Sequence, residues 1–389
     1  MKKIFKNIHV WLAIPVGIVF VIISFTGGML LFEDEITAVA QADMRTVERN
    51  GKKALPADKV MAIAQAHLAT LETANTAKDK QKAEGKQAKD DEEPIMLKSL
   101  TIAADPTQAY KVNLNKKRQA LYVNQYTGEV KGKATRLETM ATIQSLHRNL
   151  LQKRPKDDSF FLGKAVIGWS VLIVLLIFIT GFLIWLPSKA SVLKNRLSIN
   201  VTKGWRRFWY DLHVAGGFYA LTFLLIIAIT GLCYSFPWWR SGLYSLVGAK
   251  YEKEHKEKAQ AGEKGDKPRT LDAHAWQKVA DQLAKTNPNY KTIEVSEGEA
   301  KVSFDRWGNQ HASDNYTFDN QTGKITKAER YENQKAEKQL GGLIYSLHVC
   351  SWGGWFSKIL GLLVTLIGVI LPITGYYLWA KRTLRKSKK

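Results

Sequence analysis

Eight histidines occur in the chain, and four of them recur in matched surroundings. Ile8-His9-Val10 has a counterpart in Leu212-His213-Val214, and Ser145-Leu146-His147 has one in Ser346-Leu347-His348. Thr-Gly follows His9 and His213 by the same 17 positions, at Thr26-Gly27 and Thr230-Gly231. Two further pairs, Thr180-Gly181 and Thr374-Gly375, are each followed by a tryptophan, Trp185 and Trp379. Two imidazoles approaching from opposite sides suit the axial ligation of a haem iron, and such bis-histidine haems transfer electrons rather than bind oxygen. Zinc is less suited, since carboxylates and thiols do not cluster around these histidines. Asp211 lies two residues from His213 and faces away on a helix; Cys350 lies two residues from His348. The plain alternative is that a histidine at a helix end is interfacial and that Thr-Gly in an apolar helix is ordinary packing. The fourfold recurrence favours a ligand set. His67, His255, His274 and His311 have no counterparts and read as surface residues.

Such ligands need elements to hold them. Four uncharged stretches, 10–32, 165–187, 214–239 and 359–380, are each long enough to cross a bilayer as a helix. The mean hydropathy of −0.20 hides them, because it averages apolar runs with segments dense in Lys, Glu and Asp. The 389 residues carry 57 Lys+Arg against 35 Asp+Glu, a net charge of +22. That excess would suit a nucleic-acid binder, but its distribution follows a membrane. The N-terminus (Lys2, Lys3, Lys6), the loop between the second and third runs (from Lys189 to Arg207) and the tail after 380 are basic and contain no acid. By the positive-inside rule all three are cytoplasmic, and no nucleic acid is expected as a partner. Trp185, Trp205, Trp209 and Trp379 then fall at the inner interface, and Trp238, Trp239, Trp352 and Trp355 at the outer one. His9 and His213 lie at the inner ends of their helices, and His147 and His348 on the outer side. Seventeen residues at 1.5 Å rise span roughly 25 Å, so the two pairs would lie at different depths. The Thr-Gly pairs fall at the same depths, where a glycine would let a flat porphyrin approach the backbone.

Both long connections read as small α+β units. In the first, a helical pattern over 57–71 precedes a charged insertion, 73–93, and strand-like alternation over 97–103, 109–114, 119–123 and 129–131. The second has a charged spacer, 252–268, a helix over 273–286 and strands near 291–295, 301–304 and 316–318. Thr127-Gly128 and Thr322-Gly323 mark matching hairpin turns that need positive φ. The expected fold is therefore an α-helical membrane protein of four transmembrane helices with two periplasmic α+β domains and an internal two-fold repeat. Its segments are 1–32 (helix), 33–160 (outer domain), 161–187 (helix), 188–208 (basic loop), 209–239 (helix), 240–354 (outer domain), 355–380 (helix) and 381–389 (tail). Two cysteines, Cys233 and Cys350, exclude a disulfide scaffold or a thiolate-held zinc or iron–sulfur site.

His9-x-Trp11-Leu12, the Thr-Gly-Gly at 26–28, Tyr122-Val-Asn-Gln-Tyr-Thr-Gly-Glu-Val, Ser145-Leu-His-Arg148 and Thr374-Gly-x-x-x-Trp379 followed by basic residues occur in this order. The pattern resembles the PepSY-associated transmembrane proteins, often iron-regulated bacterial inner-membrane proteins, over nearly the whole chain. That family includes di-haem reductases of ferric siderophores acting at the periplasmic face. The resemblance implies two b-type haems, since no Cys-x-x-Cys-His is present for covalent attachment. It also implies His9, His147, His213 and His348 as the cofactor-binding ligands of haem iron. His348-Val-Cys-Ser-Trp352 departs from the His-x-Gly-Arg frequent in the family, and a longer link, 148–164, separates His147 from the second run.

The expected function is a haem-dependent reductase passing electrons across the inner membrane to a periplasmic ferric siderophore or other ferric chelate. The donor would be a cytoplasmic reductase or a quinol. Lys153, Arg154 and Lys164 would attract anionic chelates from outside. One alternative is a non-enzymatic, membrane-anchored binding or protease-regulating protein, for which four matched histidines serve no purpose. A second is a siderophore uptake accessory or carrier, for which four helices leave little room and which the shared orientation of the repeats disfavours.

Overall fold

A computed structural model describes residues 2–49, 51–82, 94–153, 155, 160–251 and 273–386. The charged spacer at 252–268, His255, Arg154 and residues 83–93 of the insertion lie outside the described residues. Four helices are long and apolar enough to cross a membrane: Lys2–Leu30, Leu162–Trp185, Trp205–Ser235 and Gly354–Leu384. The protein is a multi-pass membrane protein with a separate antiparallel sheet. The first span packs against the second and fourth, and the third completes the ring against the same two neighbours. Small residues let backbones approach: a Cβ on Gly28 would meet Thr365 Oγ1 at 2.8 Å, and one on Gly368 would meet Ser24 Oγ at 2.9 Å. Val16, Val174, Phe178, Leu224 and Val364 form a buried apolar layer inside the ring.

The third span stops four residues short of the apolar run read over 214–239. Phe236 is extended (φ −122°, ψ 115°) and Pro237 opens a new helix, Pro237–Leu246. A residue before proline is pushed out of the helical region, and proline itself suits the first helical turn. Trp238 and Trp239 therefore belong to that short helix, which is held back by Trp239 Nε1 donating to the Ile229 carbonyl at 2.9 Å.

The two α+β segments are not separate units but one sheet. Its eight strands are β1 (Leu97–Ala103), β2 (Tyr110–Leu114), β3 (Ala120–Val123), β4 (Val130–Ala134), β5 (Thr292–Ser296), β6 (Glu299–Ser303), β7 (Ser313–Phe318) and β8 (Ile325–Glu329). They run in the order β4-β3-β2-β1-β5-β6-β7-β8. The join is an antiparallel pairing of β1 with β5, from Ser99 opposite Ser296 to Ala103 opposite Thr292. β8 follows the Thr322-Gly323 turn, where alternation alone marked no strand. Both turns have the required geometry: φ is +79° at Gly128 and +67° at Gly323.

Alternation splits the sheet into two unlike faces. Leu100, Val112, Leu121, Val295 and Val302 point to one side. There they form a single core with the helices Ala57–Lys82 and Trp276–Thr286, through Val60, Ala64, Leu68, Trp276 and Leu283. The helix Ala57–Lys82 runs into the stretch read as an insertion. The other face carries Thr101, Lys111, Asn113 and Glu294, with Asn113 Nδ2 donating to the Thr101 hydroxyl at 2.9 Å. The end strands hand the chain back to the bundle through two short helices, Glu138–Asn149 and Ala336–His348.

Candidate functional site: two facing histidine pairs

The four recurrent histidines meet as two pairs. His9 and His213 lie with ring centres 6.4 Å apart, near the start of the first and third spans. His147 and His348 lie with ring centres 6.4 Å apart at the sheet end. Each of the latter comes from the last turns of a short helix that tucks into the bundle, not from a span. His213 sits in a π-helical turn, Leu212–Gly216, which widens the helix and re-aims the ring. The sequence offered no sign of that turn.

Every ring is seated on a Thr-Gly pair of a neighbouring helix. His9 Nδ1–H donates to the Ile177 carbonyl at 3.0 Å and to Thr180 Oγ1 at 3.3 Å. His213 Nδ1–H donates to the Leu371 carbonyl at 3.1 Å and to Thr374 Oγ1 at 2.8 Å. His348 Nδ1–H donates to the Ile227 carbonyl at 3.0 Å and to Thr230 Oγ1 at 3.3 Å. His147 Nδ1–H donates to Thr26 Oγ1 at 3.0 Å, with the Ile23 carbonyl as the backbone acceptor. The threonine hydroxyls cannot donate in return, because each gives its proton to its own helix four residues back: Thr26 to Ile22, Thr180 to Leu176, Thr230 to Ile226 and Thr374 to Ile370. A carbonyl only accepts, so the proton of each neutral imidazole is fixed on Nδ1. Nε2 is left as a bare lone pair, the arrangement that supports a metal-bound histidine.

The glycine makes room for the ring. A Cβ would approach His147 Cε1 to 3.1 Å on Gly27, His9 Cε1 to 3.1 Å on Gly181 and His348 Cε1 to 3.0 Å on Gly231. On Gly375 it would stand 3.5 Å from His213 Cε1. Besides the porphyrin clearance expected of them, these glycines admit an imidazole. It had given the threonines no role.

These residues fit an iron porphyrin. Imidazole bonds a transition metal at about 2.0 Å, so one ion shared between two imidazoles would put their ring centres about 6 Å apart. Both pairs lie at that separation. Two ligands per site suit an ion already held in a macrocycle and not a bare zinc, which takes four. Among the described residues no group of three or more His, Cys, Asp and Glu could hold a metal ion. Burial pushes the pKa of His147 down to about 4 and lowers that of His348, so both are neutral near pH 7, as ligation requires. One turn beyond Gly181, Trp185 stacks on Phe218 with centroids 3.8 Å apart. Its buried indole N–H has no hydrogen-bond partner. An acidic porphyrin substituent would satisfy it.

The other polar candidates stand apart. Asp211 is buried and faces away from His213, accepting from Arg207 Nε at 2.7 Å and from the Asn200 amide at 3.2 Å. Cys233 and Cys350 are free and buried, and burial raises the Cys350 thiol to about 11. His67 and His274 lie on the sheet layer, and the His311 ring lies tilted against Tyr345 with ring centres 4.4 Å apart.

The fold and the paired rings define a class: a four-helix membrane protein that holds two facing histidine pairs, one at each end of its bundle. The sequence model of the PepSY-associated TM region matches residues 6–382, and the chain belongs to that family. Comparison with curated proteins gives no matching relative.

Proposed function

We propose that the chain is a di-haem b reductase of the bacterial inner membrane that delivers electrons to a ferric chelate on the sheet side. The observation that carries this reading is the fixed tautomer. Four imidazoles have Nδ1–H tied to a carbonyl and a threonine, which leaves Nε2 free, and they stand in pairs with ring centres 6.4 Å apart. His9 with His213 would hold one haem, and His147 with His348 the other. Haem held by these histidines would supply one-electron exchange, and a ferric chelate releases its iron on taking one electron. The chain's own part is to orient the rings, exclude water and set the two levels roughly 25 Å apart along the first span. The basic ends (Lys2, Lys3, Lys6, Arg196, Arg206, Arg207, Lys381, Arg382) support a topology with the His9/His213 end and both termini on the cytoplasmic side and the sheet on the periplasmic side. A simple anchor gives no reason for four seated imidazoles.

The test is optical. Protein purified from haem-replete cells should show low-spin b-type bands in a reduced-minus-oxidised spectrum and two haems per chain by pyridine haemochrome. Dithionite-reduced protein should reoxidise when a ferric chelate is added. Haem-free protein, or haem that ferric chelates leave reduced, would overturn the proposal.

A further inference from the structure

A cavity of about 690 Å³ lies between the polar sheet face and the sheet end of the bundle. Leu30, Leu31, Val349 and Ser351 form part of its wall, within about a turn of Gly27 and His348, so it abuts the His147/His348 pair. Its size is that of a small-molecule site. Seven Lys and Arg line it against three acids. Glu33 is already engaged, by Arg136 at 2.6 Å and by Arg118 at 3.0 Å. Lys358 pairs with Glu35. Arg45, Lys98, Lys111 and Lys117 make no ion pair among the described residues, Arg45 Nη2 donating to Gln41 Oε1 at 3.2 Å, and Asp34 and Glu294 are the acids beside them. Glu294 is bonded within the sheet, accepting from the Ser99 hydroxyl at 2.6 Å.

The wall also leaves polar atoms unmatched. Among the described residues, the donors Arg45 Nε and Ser351 Oγ and the acceptor Gln119 Oε1 are buried without a hydrogen-bond partner, and all three residues line this cavity. Buried donors left unpaired are costly and are ordinarily satisfied by something. Lys111 is largely withdrawn from water, which lowers its pKa and disfavours its charge. A cleft with excess cations and unmet donors recognises an anion rich in oxygen acceptors. Lys153 and Lys164, which sequence position suggested for this purpose, do not line it.

Building on the reductase reading, we propose that this cavity is the chelate site and that it selects anionic catecholate or carboxylate complexes over neutral or cationic hydroxamate ones. The unpaired cations and donors would meet the chelate's oxygens and seat it against the His147/His348 end.

Gallium(III) complexes separate binding from electron transfer, because gallium copies the charge and size of ferric iron but is not reduced. Full-length protein in detergent is titrated by calorimetry with a trianionic gallium tris-catecholate, gallium citrate and a neutral gallium trihydroxamate. The anionic complexes should bind at least about tenfold more tightly than the neutral one, and less so in high salt. The exposed-side-chain variant Lys98→Gln/Lys117→Gln should weaken them by about tenfold without changing thermal unfolding or neutral-complex binding. Lys111→Gln should do the same from the buried side. Equal or preferred binding of the neutral complex, no binding of any complex, or affinity indifferent to the lysines overturns the site and leaves the haem reading standing. Selective anion binding by protein that takes up no haem keeps the site and removes the reductase.

Discussion

The histidine pair at the basic-loop end and the pair at the sheet end share one ring separation and one kind of seat, yet they are carried differently. His9 and His213 are residues of the spans themselves. Their positions follow from helix continuity, with a π turn at His213 as the local adjustment. His147 and His348 hang from short helices that leave β4 and β8 and fold back into the bundle. The root of the His147 helix is clamped where Arg136 forks onto Glu33, with Nε and Nη2 at 2.6 and 2.8 Å, just past the end of the first span. The difference teaches that one site is set by the membrane helices alone, whereas the other depends on the sheet layer being in place. Val349 and Ser351, just past His348, line the cavity under the sheet.

The largest effect expected is loss of one site at a time. His213→Ala should remove one low-spin haem signal and His348→Ala the other, with haem content falling from two to one in each. A membrane-impermeant reductant added on the sheet side should restore chelate reduction in His213→Ala but not in His348→Ala. Two full haem signals in both variants would make the histidines structural. A smaller effect separates the seats. Gly231→Ala should crowd His348 and lower haem occupancy there by about tenfold or more, as loss of ligand support commonly does. Gly375→Ala, with an ordinary 3.5 Å contact, should leave His213 and its haem as they are. Equal outcomes would show that close packing does not position the rings. The smallest effect concerns the clamp. Arg136→Gln should cost about 1–3 kcal/mol locally, the scale of a charge-assisted hydrogen bond. Hydrogen exchange should rise in residues 138–149 and not in the first turns of the first span. A change at both ends would dissolve the distinction drawn here.

Much of this arrangement was legible in the residues. The four apolar runs, the strands around 97–123 and 291–318 and the recurrence of Thr-Gly after histidine all come from composition and period. The candidate ligands were named by that recurrence. The threonines were visible as a motif but not as acceptors, because an Oγ1 acceptor role appears only when a ring from another helix meets it. β8 was missed because Ile325–Glu329 carries one apolar pair separated by polar residues and sits at a sheet edge, where alternation is weak.

The sequence by itself determined the number of spans and the identity of the paired histidines, since these rest on local composition and on spacing along a helix of fixed rise. Only the tertiary structure decided that β1 and β5 join two segments into one sheet, that the proton of each imidazole is held on Nδ1, and that Arg45, Lys98, Lys111 and Lys117 line one cavity. Pairings between distant segments and the direction of a hydrogen bond depend on which surfaces meet, and no local pattern carries that information.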